Sequence, residues 1–121
     1  MYQITYETHF SASHRIRDYQ GKCKDMHGHN WKIKVEVRTE HKNEIGLSMD
    51  FKDLKAVVNP VIDRFDHKYL NELDFLKGIN PTAENIAEYM YYEIKSKLPK
   101  KVEMSKITVW ETDKYSISYR E

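Results

Sequence analysis

The feature that most limits how this chain folds is the alternation of side chains along two long stretches near its start. In the first, the even positions Tyr2, Ile4, Tyr6, Thr8, Phe10, Ala12 and His14 are more apolar than the odd positions Gln3, Thr5, Glu7, His9, Ser11 and Ser13. In the second, His29, Trp31, Ile33, Val35 and Val37 alternate with Asn30, Lys32, Lys34, Glu36 and Arg38. Successive side chains of a strand point to opposite faces, so each stretch is predicted to be a half-buried strand.

The middle of the chain has helical spacing instead. Asp50 is a predicted N-cap for a helix with apolar positions between residues 51 and 65, which Pro60 is expected to kink or to divide into two shorter pieces. Thr82 is the predicted N-cap of a second helix that runs to about residue 98. The segment between the two helices shows neither period and is predicted to be irregular.

Alternation returns at residues 106–112 and 115–120, which predict two strands joined by a tight turn at Asp113-Lys114. The predicted order is β-β-α-α-β-β, an α+β fold with both helices on one face of a four-stranded antiparallel sheet. Such a sheet has two edges that must be covered, charged or paired with another subunit.

Length and charge restrict the classes of protein to which the chain can belong. Its 121 residues fit a single domain, 1–121, and that length needs no disulfide or structural metal merely to fold. Lys plus Arg (20) nearly balance Asp plus Glu (19) without a long run of either sign, which argues against a nucleic-acid or membrane partner. One cysteine and no apolar leader predict a cytoplasmic protein without internal disulfides.

Three histidines are predicted to converge on one spot. His27 and His29 share a face of the second strand, and His14 ends the first strand on its more apolar face. If the two strands pair antiparallel, the joined ends bring all three imidazoles together as a zinc set with an open fourth position. An isolated H-x-H is more often an incidental strand-edge pair, and His14 is what favours the metal. His9 and His41 are predicted to face solvent.

Cys23 and the pair Asp66-His67 are candidates for proton transfer. A lone loop cysteine is often inert, but Cys23 stands near a predicted ligand and between Lys22 and Lys24, which would lower its pKa and suit a base or nucleophile. Asp66 and His67 either end a helix or orient a base that acts with Cys23. Both alternatives stay open for each.

Glu111 is predicted to lie on the same strand face as Ile107 and Val109, where a carboxylate is costly without a donor. It is either a strand carboxylate paired with a lysine or the acceptor for the two N–H groups of an N–C–N edge, as in a pterin or guanine ring. Thr82 is a helix cap first, and any contact with a ligand is a second role.

Six motifs in order resemble the 6-pyruvoyl-tetrahydropterin synthase family, closest to its 6-carboxy-5,6,7,8-tetrahydropterin synthase branch of queuosine biosynthesis. They are Phe10-Ser-Ala-Ser-His14, Cys23-x-x-x-His27-Gly-His29, Gly46-Leu-Ser-Met-Asp50-Phe51, Asp66-His67-x-x-Leu70-Asn71, Pro81-Thr-x-Glu84-Asn85 and Trp110-Glu111-Thr112. The resemblance covers nearly the whole chain. It implies the tunnelling fold, in which the sheets of several subunits join into a barrel, here as a hexamer built from two trimers with active sites between subunits.

By position, the resemblance also implies roles for individual residues. It places Zn²⁺ on His14, His27 and His29, the proton-abstracting base at Cys23 with Asp66 and His67 as its partners, and the pterin anchor at Glu111 with Thr82 nearby. The implied substrate is 7,8-dihydroneopterin triphosphate, which the branch converts to 6-carboxy-5,6,7,8-tetrahydropterin with release of acetaldehyde and triphosphate. Arg15, Lys22 and Lys24 are candidate triphosphate contacts.

The reaction product is the finer choice within this family. The gap of three residues between Cys23 and His27 resembles the carboxy branch, whereas animal pyruvoyl enzymes tend to have a longer insertion. Folate-type variants, which cleave the side chain, usually carry a glutamate near the cysteine, where this chain offers only Asp25. Alternatives outside the family's chemistry are a non-catalytic pterin- or purine-binding module and an oligomeric structural protein with incidental histidines.

Overall fold

The computed structural model describes residues 1–18 and 25–121. In chain order the strands and helices are β1 (Tyr2–His14), β2 (His27–Thr39), α1 (Phe51–Asp63), β3 (Lys68–Tyr69), α2 (Ala83–Lys95), β4 (Glu103–Trp110) and β5 (Ser116–Tyr119). Between β3 and α2 lie two short 3-10 helices, Leu70–Glu72 and Asp74–Leu76.

Over those two ranges the strands form one five-stranded sheet in the order β3-β1-β2-β4-β5. The four longer strands pair antiparallel, as predicted. The prediction of a four-stranded, purely antiparallel sheet is wrong, because β3 pairs parallel to β1, with Lys68 beside Ala12 and Tyr69 beside Ser13. The N–H of His67 donates to the carbonyl of Ser11 at 2.6 Å, which brings the chain leaving α1 alongside the β1 edge.

Both helices cover the apolar face of the sheet. The core contains the inward side chains of β1, β2 and β4 together with those of the helices, among them Phe10, Trp31, Ile33, Val35, Val58, Val61, Phe65, Ile86, Met90, Ile107 and Val109. Each of these residues is at least 98% buried. Full burial of a side chain of this size contributes about 1.5–3 kcal/mol, so this layer is the main source of stability. The α+β class is as predicted.

The helices differ from the prediction in their extents. α1 is one continuous helix that contains Pro60 and is not divided by it. Buried side chains on both sides of the proline, Val58 and Val61, hold the helix against the sheet, and the Tyr6 hydroxyl donates to Asn59 at 2.7 Å. Tertiary packing therefore outweighs the proline's missing hydrogen bond. α2 ends at Lys95, earlier than predicted.

The predicted N-caps are both present. The Asp50 carboxylate accepts the Lys52 N–H at 2.9 Å, and the Thr82 hydroxyl accepts the Asn85 N–H at 3.1 Å. Each satisfies one of the N–H groups that the first turn of a helix leaves free. Within the described ranges, no helix is both long enough and apolar enough to cross a membrane.

A candidate metal centre beside an apolar pocket

The β1–β2 register brings three imidazoles to one end of the sheet. His14 lies directly opposite His27, and Ala12 lies opposite His29, so all three rings project from the same face. Their centroids are 4.7 Å apart for His14 and His27, 4.5 Å for His27 and His29, and 5.5 Å for His14 and His29. The three histidines singled out from the sequence thus lie together, while His9 and His41 are exposed elsewhere.

Backbone carbonyls orient two of these rings. Nδ1 of His14 lies 2.7 Å from the carbonyl oxygen of Pro81, and Nδ1 of His27 lies 2.8 Å from that of Asp25. A carbonyl oxygen only accepts, so each Nδ1 carries the proton, and each neutral ring presents the lone pair of Nε2 to the cluster. This is the tautomer with which histidine binds metals through Nε2.

Glu111 joins the cluster. Its Oε1 lies 2.7 Å from Nε2 of His14, 3.3 Å from that of His29 and 3.9 Å from that of His27. β4 ends at Trp110, so Glu111 begins the connection to β5. The prediction that Glu111 lies within the strand is therefore wrong. Among the described residues its ion-pair partners are these three imidazoles, and the alternative of a lysine partner is not found there.

The donor set fits a divalent cation such as Zn²⁺. One donor atom from each of the four residues lies within 4.8 Å of the other three. In the described part of the chain, Nε2 of His14 and Nε2 of His29 are buried without a hydrogen-bond partner. The 2.7 Å contact between His14 and Glu111 therefore does not have the geometry of a hydrogen bond. Buried nitrogen lone pairs of this kind need a proton or a cation, and imidazole and carboxylate are zinc ligands.

The protonation forms favoured in the cluster are those that bind a metal ion. Burial, partly opposed by the charge of Glu111, lowers the pKa of His29 and so favours its neutral imidazole. The pKa of the Glu111 carboxyl lies below its ordinary value, chiefly because of the polar contact with His14, while desolvation acts in the opposite direction. Neutral imidazoles and an ionised carboxylate are the forms that coordinate a metal.

A cavity of about 460 Å³ opens beside the cluster. Its lining is mostly apolar and comes from the end of β1, the start of α2, and the β4–β5 region: His14, Ile16, Thr82, Ala83, Glu84, Val109, Glu111, Tyr115, Ser116 and Ile117. Thr82 and Glu111 were singled out from the sequence, whereas Ile16, Tyr115 and Ile117 were not. Ile16 continues the parity of His14 and could have been found that way. Tyr115 and Ile117 share a face of the predicted last strand, but no sequence signal tied that face to the site.

Asp66 and His67 lie at the β1–β3 edge, away from that cavity. Asp66 Oδ1 accepts the N–H of Ser11 at 2.9 Å and lies 3.0 Å from Nδ1 of His67. The Ser11 N–H is the main reason that the pKa of Asp66 lies below its ordinary value, with burial opposing it and His67 adding to it. His67 has a positive φ of 58°, and its side chain is 83% exposed.

A second cavity, of about 500 Å³, lies at this edge. His67 and Lys68 line it together with Ser11 and Asn30, and His29 is the residue of the metal cluster that also borders it. Cys23, the predicted base, lies outside the described residues, as do Lys22 and Lys24. Of the candidate triphosphate contacts, Arg15 is described, and its backbone N–H donates to Asn71 at 2.9 Å.

The family model for 6-pyruvoyl tetrahydropterin synthase matches residues 3–121. The chain belongs to this family. A relative from Archaeoglobus fulgidus, provisionally named a 6-carboxy-5,6,7,8-tetrahydropterin synthase, is 44% identical over 94 residues, covering 78% of this chain and 76% of its own length. A dihydroneopterin monophosphate aldolase of Pyrococcus furiosus is 33% identical over 115 residues, covering 95% and 94% of the two chains.

The fold of the family is also that of this chain. The structure of a 6-pyruvoyl tetrahydropterin synthase from Caenorhabditis elegans superposes with a TM-score of 0.88 at 31% identity, over 99% of this chain and 95% of that one. Relatives of the 6-pyruvoyl tetrahydropterin synthase family with comparable identity thus carry three different activities in their names. Family membership identifies the chain as an enzyme of pterin metabolism, within which the named activities differ in the product that is formed.

Proposed function

We propose that the protein is a zinc-dependent lyase that converts 7,8-dihydroneopterin triphosphate and water to 6-carboxy-5,6,7,8-tetrahydropterin, with release of acetaldehyde and triphosphate. The observation that carries the proposal is the cluster of three imidazoles and one carboxylate at the wall of an apolar cavity. We further propose one catalytic domain over residues 1–121, a cytoplasmic role in the queuosine branch, and a homo-oligomer, a hexamer of two trimers, with sites between subunits.

The cavity suits a flat bicyclic ring. Its volume of about 460 Å³ lies within the usual range for small-molecule sites. Ile16, Val109 and Ile117 supply apolar walls, and Glu111 supplies a carboxylate at the same site. A carboxylate accepts two parallel N–H bonds from the N–C–N edge of a pterin, which fixes the ring's orientation. Thr82, at the start of α2, is the proposed second polar contact.

The metal would be held by His14, His27 and His29. Zn²⁺ bound there would act as a Lewis acid that polarises an oxygen of the substrate side chain. The carbonyls of Pro81 and Asp25 keep two of the imidazoles in the tautomer required for this role. A substrate ring seated against Glu111 would extend its side chain toward the three histidines, because Glu111 and His14 line the same cavity.

Proton transfer is assigned to Cys23 with Asp66 and His67. Asp66 accepts from the Ser11 backbone and lies 3.0 Å from Nδ1 of His67, so it can hold that ring in one orientation and stabilise its charged form. The exposed position of His67 agrees with a site completed by another subunit. In that arrangement Cys23 removes a proton from the substrate side chain, and His67 exchanges protons with Cys23.

The choice of the carboxy product rests on two observations. The gap of three residues between Cys23 and His27 resembles that branch, and the A. fulgidus relative bears its name at 44% identity. The P. furiosus aldolase, at 33% identity over almost the whole chain, is the reason to keep side-chain cleavage as a second candidate. The 6-pyruvoyl synthase named in C. elegans is the third.

Product identification tests the proposal. The zinc-loaded protein is incubated with 7,8-dihydroneopterin triphosphate, and products are separated and identified by mass spectrometry, with acetaldehyde trapped as a hydrazone. We expect 6-carboxytetrahydropterin and acetaldehyde in equal amounts. A 6-pyruvoyl product, or a pterin with a shortened side chain, would overturn the branch assignment. A Cys23→Ala variant that binds pterin with no turnover, beside a wild type that also has none, would favour a binding module.

A further inference from the structure

We propose that Glu111 is the fourth ligand of the metal when no substrate is bound, and that an incoming pterin ring opens the coordination site by taking this carboxylate for itself. The proposal deepens the function above and rests on it for the identity of the ring. It assigns Glu111 two successive partners where the family resemblance assigns it one. The fourth coordination position of the metal would then stay occupied by Glu111 until the pterin ring has bound.

The distances from Oε1 of Glu111 to the three imidazoles are close to the spacing expected between two ligands of one metal ion. Two ligands of a tetrahedral Zn²⁺, each about 2.0–2.1 Å from the ion, are about 3.3 Å from each other. The separations from Oε1 to the three Nε2 atoms, 2.7, 3.3 and 3.9 Å, bracket this value. The Glu111 carboxylate thus approaches all three imidazoles at about the distance expected between ligands of one ion.

The tautomers of the imidazoles also favour Glu111 as a metal ligand. Because Nδ1 of His14 and of His27 face carbonyl oxygens, the Nε2 atoms of these rings carry lone pairs when neutral. Oε1 of Glu111 faces these same nitrogens at 2.7 and 3.9 Å, and His14 is fully buried. Nitrogen lone pairs and a carboxylate oxygen that face each other repel unless a proton or a cation lies between them. A metal ion shared by the imidazoles and Glu111 removes the conflict.

The two roles of Glu111 exclude each other. Bidentate recognition of an N–C–N edge uses both carboxylate oxygens, and Oε1 is directed at the imidazoles. The side chain is 29% exposed, lines the cavity and belongs to the connection after β4, so it can turn toward a ring without moving a strand. Ring binding therefore withdraws a ligand from the metal and leaves one position open beside the substrate side chain.

Cobalt substitution tests the first half. Absorption bands of protein-bound Co²⁺ respond to ligand type and coordination number, so they report on the ligands without any turnover. We expect the resting spectrum of Glu111→Gln to differ from that of the wild type, and its zinc affinity to fall at least about tenfold. Glu84→Gln, which changes a carboxylate lining the same cavity outside the cluster, should keep the wild-type resting spectrum. Identical spectra for Glu111→Gln and wild type would overturn the proposal.

A pterin without a side chain at position 6 tests the second half. It can occupy the ring site but offers no side-chain oxygen to the metal. We expect its addition to shift the cobalt spectrum of the wild type toward that of resting Glu111→Gln, with saturation at the concentration that saturates pterin fluorescence. An unchanged wild-type spectrum, or no pterin binding, would overturn the exchange. If the spectrum shifts but the triphosphate gives no product, the exchange stands and the proposed reaction fails.

Discussion

Nδ1 of His14 donates to the carbonyl oxygen of Pro81 over 2.7 Å, a bond that joins the end of β1 to the residue before the cap of α2. This bond fixes the tautomer of the most buried histidine in the cluster and ties the sheet to the helix layer at the wall of the cavity. The metal centre and the start of α2 are therefore positioned by the same contact.

Replacing His14 should abolish tight metal binding. His14→Ala removes one Nε2 ligand, and we expect zinc affinity to fall by more than about 100-fold, since even partners behind the ligands are worth about 10–100-fold. The measurement is competition against a chromophoric chelator. His9→Ala is the matched control, because His9 lies on the same strand but is exposed, and its affinity should be that of the wild type. Tight zinc binding by His14→Ala would contradict the assignment.

Thr82→Ala should destabilise the fold. The hydroxyl that accepts the Asn85 N–H at 3.1 Å is lost, and an N-cap of this type contributes about 0.5–2 kcal/mol to the free energy of unfolding. Urea denaturation measures the change. Thr82→Ser keeps the acceptor and should recover most of the loss. Equal stability for the Ala and Ser variants would show that the cap carries no weight here.

Asp66→Asn should separate catalysis from folding. The amide oxygen can still accept the Ser11 N–H, but the charge beside His67 is lost. We expect kcat to fall by about 10²–10⁴, the usual contribution of a general acid–base group, with little change in the urea midpoint. Asp63→Asn, at the exposed end of α1, should change neither quantity. A normal kcat in Asp66→Asn would remove this pair from the mechanism.

The ion pair between Arg64 and Glu93 predicts a pH-dependent part of the stability. Its Nη2–Oε1 distance is 2.7 Å, and the hydrogen bond from Arg64 is the main reason that the pKa of Glu93 lies below its ordinary value of 4.5. A depressed carboxyl pKa stabilises the fold above pH 4.5, and this contribution is lost as pH falls through the lower, folded value.

Glu93→Gln should therefore be less stable than the wild type at neutral pH, with a difference that shrinks as the pH falls below 4.5 and through the lower pKa of the folded state. Both side chains are about one-third exposed, so solvent screening limits the difference to less than about 1 kcal/mol. Urea titrations at a series of pH values measure it. A difference that stays constant between neutral and acid pH would show that the ion pair does not contribute.

The grouping of the histidines could be predicted because it depends on local rules alone. Strand parity fixes the face of His14, His27 and His29, and pairing of consecutive strands fixes which ends meet. β3 could not be predicted in this way, since two residues show no alternation and their partner strand is set by how the chain leaves α1.

The other differences between the prediction and the structure depend on tertiary packing. The continuity of α1 through Pro60 depends on buried neighbours that a helical pattern does not reveal. The place of Glu111 depends on where β4 ends, and the register between β2 and β4 shifts at an irregularity between Glu36 and Val37. Parity counted along the strand predicts the face of Glu111 but not its contact with three imidazoles. Tyr115 lines the cavity from the position just before β5, and the alternation at residues 115–120 predicts its strand but not its place at the site.

His14 and His27 face each other on the last rung of the β1–β2 ladder, so the chain leaves and re-enters the sheet at the same place. An insertion or deletion in residues 19–24 would change the length of that excursion while His14 stays paired with His27. A relative with a different number of residues in this segment can therefore keep the same pairing of the two histidines.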